Sequence, residues 1–241
     1  METVAEITHL KKSFGSNQVL KDISFKIAKG ENLVVCGKSG SGKSVLIKCL
    51  VGLLEPDDGE VVLLGENIAD LNAAALNALR KKVGFLFQSA ALYDSMTVRE
   101  NLEFPLRDVK LISKEEIEAL VVEALKNVGL EDAIDLMPSE LSGGMRKRVG
   151  LARTLILKPE LILYDEPTTG LDPITSKEIS HLILEVQKKY NAASIIITHD
   201  VECARITANN MILLKDGICT AQGTYKELAA SKDEWVHSFF K

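Results

Sequence analysis

Four short apolar stretches punctuate the chain: Leu33-Val34-Val35-Cys36, Val83-Gly84-Phe85-Leu86-Phe87, Leu161-Ile162-Leu163-Tyr164 and Ser194-Ile195-Ile196-Ile197-Thr198. Each is bounded and lacks polar alternation, so each predicts a strand buried on both faces, in a sheet covered by helices on either side. Between them the period becomes helical. From Ser113 onward, Ile117, Leu120, Val121, Ala124, Leu125 and Val128 recur at helical spacing. Ser113 and Glu116 form a capping box before that helix, and Gly129 supplies its stop. A second helix opens on Asp172-Pro173, an N-cap followed by proline at the first helical position. It places Ile179, Leu182, Ile183 and Val186 on one face. Asp216-Gly217 separates Met211–Leu214 from Ile218–Ala221, the signal of a tight hairpin.

From about Ser89 to Pro159 no strand pattern occurs, although strands resume afterwards. The pattern therefore predicts a helical lobe inserted into an α/β body: residues 1–88 form the first part of the body, 89–158 the lobe, and 159–241 the second part with a C-terminal tail. A length of 241 residues suits such a plan and can bury a core without disulfides or metals. The 29 basic and 34 acidic residues give a formal charge of −5, which argues against a nucleic-acid-binding surface. No apolar run reaches the roughly 18–20 residues of a membrane span. The start, Met1 to Glu6, has neither the basic nor the apolar part of a secretory signal. Cys36, Cys49, Cys203 and Cys219 form no CxxC pair, so they read as small core residues in a reducing compartment.

Three motifs carry chemistry. Gly37-Lys38-Ser39-Gly40-Ser41-Gly42-Lys43-Ser44 follows a predicted strand and precedes a predicted helix, Val45 to about Leu53, which is the context a phosphate loop requires. Its glycines let successive N–H groups face a phosphate, and the helix adds its positive end. Lys43 can reach the β- and γ-phosphates, and the Ser44 hydroxyl can ligate Mg²⁺. Next, the strand Leu161–Tyr164 ends in Asp165 and Glu166. Asp165 is placed to hold Mg²⁺ through water, and Glu166 to polarise an attacking water. Third, Ser142-Gly143-Gly144 opens a helix: Ser142 caps it, and the glycines expose N–H groups, making a second anion-binding helix start. Each motif also has a purely structural reading: a Gly-rich turn, a strand followed by an acidic turn, and a plain loop.

In order along the chain, the phosphate loop, Leu141-Ser142-Gly143-Gly144-Met145, the Asp165-Glu166 strand end, Gly170-Leu171-Asp172 and the strand-terminal His199 resemble the ATPase subunit of an ABC transporter over essentially the whole length. The resemblance implies a P-loop NTPase fold of the ABC type, a RecA-like sheet with helices on both faces and an inserted helical subdomain. It implies ATP and Mg²⁺ as cofactors. Two copies would pair head to tail, the Ser142-Gly143-Gly144 helix of one closing on the ATP held by the other. By position, Phe14 matches the aromatic that stacks on adenine, with core packing as its alternative. Gln88 matches the loop glutamine at Mg²⁺ and the attacking water, Asp172 a dimer contact, and His199 the histidine at the γ-phosphate. Lys43 and Glu166 complete the catalytic set, with Val45 beside the phosphates.

Met145 stands where the family has Gln, which leaves Ser142 and both glycines for the phosphate contact. The run Leu141 to Arg153, together with Phe87–Tyr93, Thr97–Asn101, Pro105-Leu106 and Tyr164–Ile174, is similar to ATPases of MCE-type lipid transport systems, including the Mla phospholipid system. That implies a separate membrane permease, an MCE-domain lipid-binding protein in the same complex, no nucleic acid, and a peripheral place on the cytoplasmic side of the inner membrane. The alternatives are an ABC ATPase for amino acids or lipoproteins, and a soluble one of the iron–sulfur assembly type. Arg146-Lys147-Arg148 is expected to be a solvated helix face. In the tail, Trp235, Val236, Phe239 and Phe240 form an apolar set that packs either on its own subunit or on the second copy.

Overall fold

The computed structural model describes residues 2–109 and 112–240. The chain runs β1 (Thr3–Phe14), β2 (Asn17–Ala28), β3 (Asn32–Gly37), α1 (Lys43–Leu50), β4 (Asp58–Leu63), β5 (Glu66–Asn67), α2 (Ala73–Lys82), β6 (Val83–Leu86) and α3 (Val98–Glu103). It continues α4 (Lys114–Lys126), α5 (Gly143–Leu155), β7 (Leu161–Asp165), α6 (Pro173–Tyr190), β8 (Ala193–Thr198), α7 (Val201–Thr207), β9 (Asn210–Lys215), β10 (Ile218–Gly223), α8 (Tyr225–Ala229) and α9 (Glu234–His237).

The strands join in the order β5-β4-β1-β2-β10-β9-β3-β8-β7-β6. All four apolar stretches are strands, and they lie side by side: β3 pairs with β8, β8 with β7, and β7 with β6, all parallel. β9 joins the other side of β3, also parallel. Strand periodicity splits each apolar run between two cores. Val34 and Cys36, Ile162 and Tyr164, and Ile196 face the side covered by α5 and α6. Leu33 and Val35, Leu161 and Leu163, and Ile195 and Ile197 face the side covered by α1. Helices thus cover both faces, as a buried parallel sheet requires.

Four of the ten strands were not foreseen. β1, β2, β4 and β5 form an antiparallel part. Its strands are one-sided, so they alternate: Ile23, Phe25 and Ile27 are buried, while Ser24 and Lys26 are exposed. β1 breaks this alternation with a register shift between Ile7 and Leu10, where His9 takes φ 49. The hairpin of β9 and β10 turns at Asp216 (φ 50) and Gly217 (φ 79), both positive as a two-residue turn requires.

The expected helices carry the expected caps. Ser113 and Glu116 form the capping box of α4. Asp172 caps α6 by accepting from the N–H groups of Ile174 and Thr175. Two boundaries differ. α1 covers Lys43–Leu50 instead of Val45 to about Leu53: it starts directly after left-handed Gly42, and the chain turns at Gly52 (φ 66). β6 stops at Leu86, so Phe87 is already outside the ladder. Between residues 89 and 158 the described residues contain helices and turns and no strand. Cys36, Cys49 and Cys203 are buried and Cys219 half-buried, with no disulfide among the described residues. Burial pushes the Cys36 thiol up to about 12.

Candidate active site

The C-terminal ends of the parallel strands deliver the chemistry, and β3 supplies the phosphate loop. A Cβ on Gly37 would lie 2.5 Å from Ser41 Oγ and 2.6 Å from the Leu214 carbonyl oxygen, so only glycine fits there. Gly42 takes φ 102 against Val19 and Leu20. Lys43, almost fully buried, folds back over the loop: its Nζ donates to the carbonyl oxygens of Gly37 at 2.7 Å and Lys38 at 3.1 Å. An ammonium held by two carbonyls beside a loop of free N–H groups can exchange those contacts for phosphate oxygens.

Next along the sheet, β7 ends in Asp165, and Glu166 follows in the left-handed region at φ 50. Such a conformation costs a non-glycine residue roughly 1–2 kcal/mol, and it is held from both sides. The Glu166 N–H donates to Ile197 of β8 at 2.8 Å, and the Glu166 carbonyl accepts from Thr169 at 3.2 Å. The carboxylate is equally fixed. His199 Nδ1 lies 2.8 Å from Glu166 Oε2, and Thr169 Oγ1 donates to the same oxygen at 3.1 Å. In the tautomer whose Nδ1–H donates to Glu166, the exposed His199 ring keeps Nε2 free to meet an incoming group.

Burial first, and the adjacent Glu166 charge second, push the Asp165 carboxyl above its usual range, against the pull of Lys48, Lys147 and Lys43. Its Oδ1 is buried with no hydrogen-bond partner. A buried carboxylate oxygen without a donor suits a hydrated divalent cation.

A cavity of about 750 Å³ collects the phosphate loop, Glu166 and His199, while Asp165 lies outside its lining. Gly37, Lys38, Ser39, Gly40, Gly42, Lys43, Ser44 and Val45 line one side, and Gln88, Glu166 and His199 another. Ser41 turns its hydroxyl inward, buried and unpaired. Phe14 is half-exposed at the end of β1, outside the lining, while Val19 of β2 is within it. Ser142, Gly143 and Gly144 lie outside the cavity. Ser142 caps α5 by accepting from the Met145 N–H at 3.2 Å. A Cβ on Gly144 would come within 2.6 Å of Thr175 Cγ2, so glycine lets α5 start against the start of α6. There Asp172 accepts from the Thr175 hydroxyl, which holds its carboxyl below the usual range.

Residues 20–169 match the sequence profile of the ABC transporter family. The chain is a member of that family. A "Probable ribonucleotide transport ATP-binding protein mkl" of Mycobacterium leprae is 40% identical over 239 residues, covering 99% of this chain and 69% of that protein. An "Intermembrane phospholipid transport system ATP-binding protein MlaF" of Haemophilus influenzae is 37% identical over the full chain, which spans 91% of it. Among solved structures, the ATP-binding cassette MJ0796, a dimer in a post-hydrolysis state bound to ADP and Pi, superposes with a TM-score of 0.84 at 32% identity. That match covers 92% of this chain and 99% of that one. This ABC protein is therefore a nucleotide-binding ATPase.

Thr169, Val19 and Lys147 were missed by sequence reasoning. Lys147 corrects the expectation of a solvated basic face: its side chain is buried, 5% exposed, and only Arg146 of the three basic residues is exposed. Arg148 donates to the Val128 carbonyl and to Glu178. The signal was available in the helical spacing. Gly144, Lys147 and Leu151 fall on one face, and that face is buried.

Proposed function

We propose that this ATPase works as a head-to-tail pair of identical subunits and drives phospholipid movement by a separate membrane permease. The observation that carries the pairing is the division of anion-binding groups: the cavity holds Lys43, Gln88, Glu166 and His199, while the capped helix start at Ser142-Gly143-Gly144 lies outside it. A second copy supplies the missing helix start to each cavity, and the dimeric state of MJ0796 supports that arrangement. The phospholipid assignment rests on the likeness to MlaF across the whole chain. No described helix is long and apolar enough to cross a membrane; in this reading the crossing belongs to the permease. An MCE-domain lipid-binding protein completes the complex, at the cytoplasmic face of the inner membrane.

In this reading ATP lies along the phosphate loop with Phe14 at its base. Lys43 leaves the loop carbonyls for the β- and γ-phosphates. Mg²⁺, held by Ser44, Gln88 and Asp165, would neutralise charge on the phosphate oxygens. Glu166 accepts a proton from the attacking water, and His199 keeps that carboxylate aimed and contacts the γ-phosphate. Closure of the pair places Ser142 and the N–H groups of Gly143 and Gly144 on the partner's γ-phosphate, with Asp172 at the junction. Hydrolysis removes the shared anion and reopens the pair, and Gln88, at the root of the helical lobe, passes the change to the permease.

The test is Glu166→Gln. It removes the base and keeps shape and nucleotide contacts. Hydrolysis should fall by at least about 100-fold, ATP binding should persist, and ATP should drive a stable dimer on size exclusion. Normal turnover would refute the catalytic assignment, and a monomer at saturating ATP would refute the pairing. For cargo, the purified complex should carry phospholipid, and its ATPase rate should rise in phospholipid vesicles. Stimulation by an amino acid alone would assign another substrate.

A further inference from the structure

The one buried lysine of the helical lobe has no carboxylate partner among the described residues. Lys147 sits on α5, one turn after Gly144, and its ammonium is enclosed. Nζ donates to the main-chain carbonyl of Gln88 and, at 3.1 Å, to the main-chain carbonyl of Glu166. Burial pushes this ammonium below its ordinary value, with the charges of Asp165 and Glu166 acting the other way. An enclosed cation is expensive to keep, and a hydrophobic residue in its place would often be neutral or stabilising. What it does hold is the main chain of two cavity residues.

The two carbonyls belong to Gln88 and Glu166, which both line the cavity and sit on neighbouring strand exits. Gln88 follows β6 and Glu166 follows β7. Glu166 is in the left-handed region, where a small rotation of its peptide would swing the carboxylate away. The same helix grips β6 and the chain after it at further points. Arg153 donates to the carbonyls of Ala90 and Ala91, both at positive φ, and Thr154 donates to Phe85. A Cβ on Gly150 would lie 2.9 Å from that of Ala90, so helix and loop are in direct contact. The helix that begins at Ser142 is thus bonded to Gln88 and Glu166 through a single amine.

We propose that Lys147 is a positioning residue for ATP hydrolysis: its ammonium locks the main chains of Gln88 and Glu166 to the helix that begins at Ser142, so that the Glu166 carboxylate and the Gln88 amide are aligned when that helix is seated. This rests on the reading that Glu166 and Gln88 act on the nucleotide. Binding of the nucleotide depends on the phosphate loop, which Lys147 does not touch, so its loss should appear in kcat and not in affinity.

The experiment measures kcat, KM, nucleotide affinity and thermal unfolding for Lys147→Met, Lys147→Gln, Gln88→Ala and the Lys147→Met/Gln88→Ala double variant. Met keeps the aliphatic stem without a donor. We expect Lys147→Met to lower kcat by about 10- to 100-fold, the size of effect that misplaced catalytic groups produce, with nucleotide affinity within about twofold of the parent. Gln, a neutral donor, should recover part of the rate, and should decide the matter if Met prevents folding. In the double variant the combined loss should fall short of the product of the two, because part of the Lys147 effect acts through Gln88 and the rest through Glu166. Parental kcat in Lys147→Met would overturn the proposal. So would multiplicative losses, or a fall in affinity and unfolding temperature that accounts for the lost rate. Failure of the underlying reading is distinguishable: Glu166→Gln would then retain turnover.

Discussion

Glu166 shows how much a single residue here depends on others. Its backbone adopts a conformation unfavourable for a side chain with a Cβ, and its carboxylate is aimed by His199 and Thr169. Strain at a residue so over-determined belongs to pre-organisation of a site. His199→Ala removes the nearer contact and frees the carboxylate to rotate into solvent. The expected outcome is a fall in kcat of about 100-fold, with nucleotide affinity little changed, because Lys43 and the loop N–H groups remain. Steady-state kinetics beside equilibrium titration of a fluorescent nucleotide check it. Asp165 and Glu166, next to each other, were legible from sequence as a strand end with two carboxylates. The pairing of Glu166 with His199 was not, because the two are 33 positions apart and meet only through the β7–β8 ladder.

Among the elements, the strands split by how they hide their polar backbone. The parallel strands are buried on both faces and announce themselves as unbroken apolar runs. β1, β2 and β4 bury one face only, so their signal is alternation, weakened in β1 by the shift at His9. Ile23-Ser24-Phe25-Lys26-Ile27 was the one clean alternation available. The loop after Gln88 is shaped by one further residue, Asn101 of α3, which is fully buried. Its Nδ2 donates to the carbonyls of Tyr93, Met96 and Thr97, and its Oδ1 accepts the Tyr93 N–H at 2.8 Å. Asn101→Ala leaves the Tyr93 N–H and the Met96 carbonyl without their partner, while the Tyr93 and Thr97 carbonyls keep the N–H groups of Met96 and residue 101. We expect a loss of about 1–3 kcal/mol, the range for such groups, read from denaturant unfolding. A change below about 0.5 kcal/mol, the usual size for a surface substitution, would contradict this account of the loop.

The whole molecule is two cores on one sheet, with the site along the strand ends between them. One core includes the helical lobe, α6 and the tail; the other includes α1 and the antiparallel strands. Within one subunit the tail packs on its own core. Val236 is buried, Trp235 meets Phe239 edge-on at 5.0 Å, Phe240 meets Tyr225 at 5.1 Å, and Lys215 lies 4.9 Å over the Trp235 ring. Ser238 and Phe239 reach the lining of the nucleotide cavity. Removing residues 233–241 should therefore cost about 2–4 kcal/mol, from one buried aliphatic side chain and two aromatic pairs. Because the contacts are within one subunit, the loss should be the same at low and high protein concentration. A loss that grows with concentration would assign the tail to the partner instead.

The sequence by itself determined the parts that are local. A phosphate loop, a helix N-cap or a two-residue turn is encoded within a few neighbouring residues, because its hydrogen bonds and φ values are satisfied nearby. So the Gly37–Ser44 loop, the caps at Ser113, Ser142 and Asp172, and the turn at Asp216-Gly217 were readable in advance. Only the tertiary structure decided which distant groups share one place. It set His199 on Glu166, folded Phe239 toward the cavity, and drew Lys147 out of a basic cluster into contact with Gln88 and Glu166. The reason is physical: a long charged side chain costs much to enclose, so its burial depends on carbonyl partners that other strands bring to it, and no spacing along α5 records them.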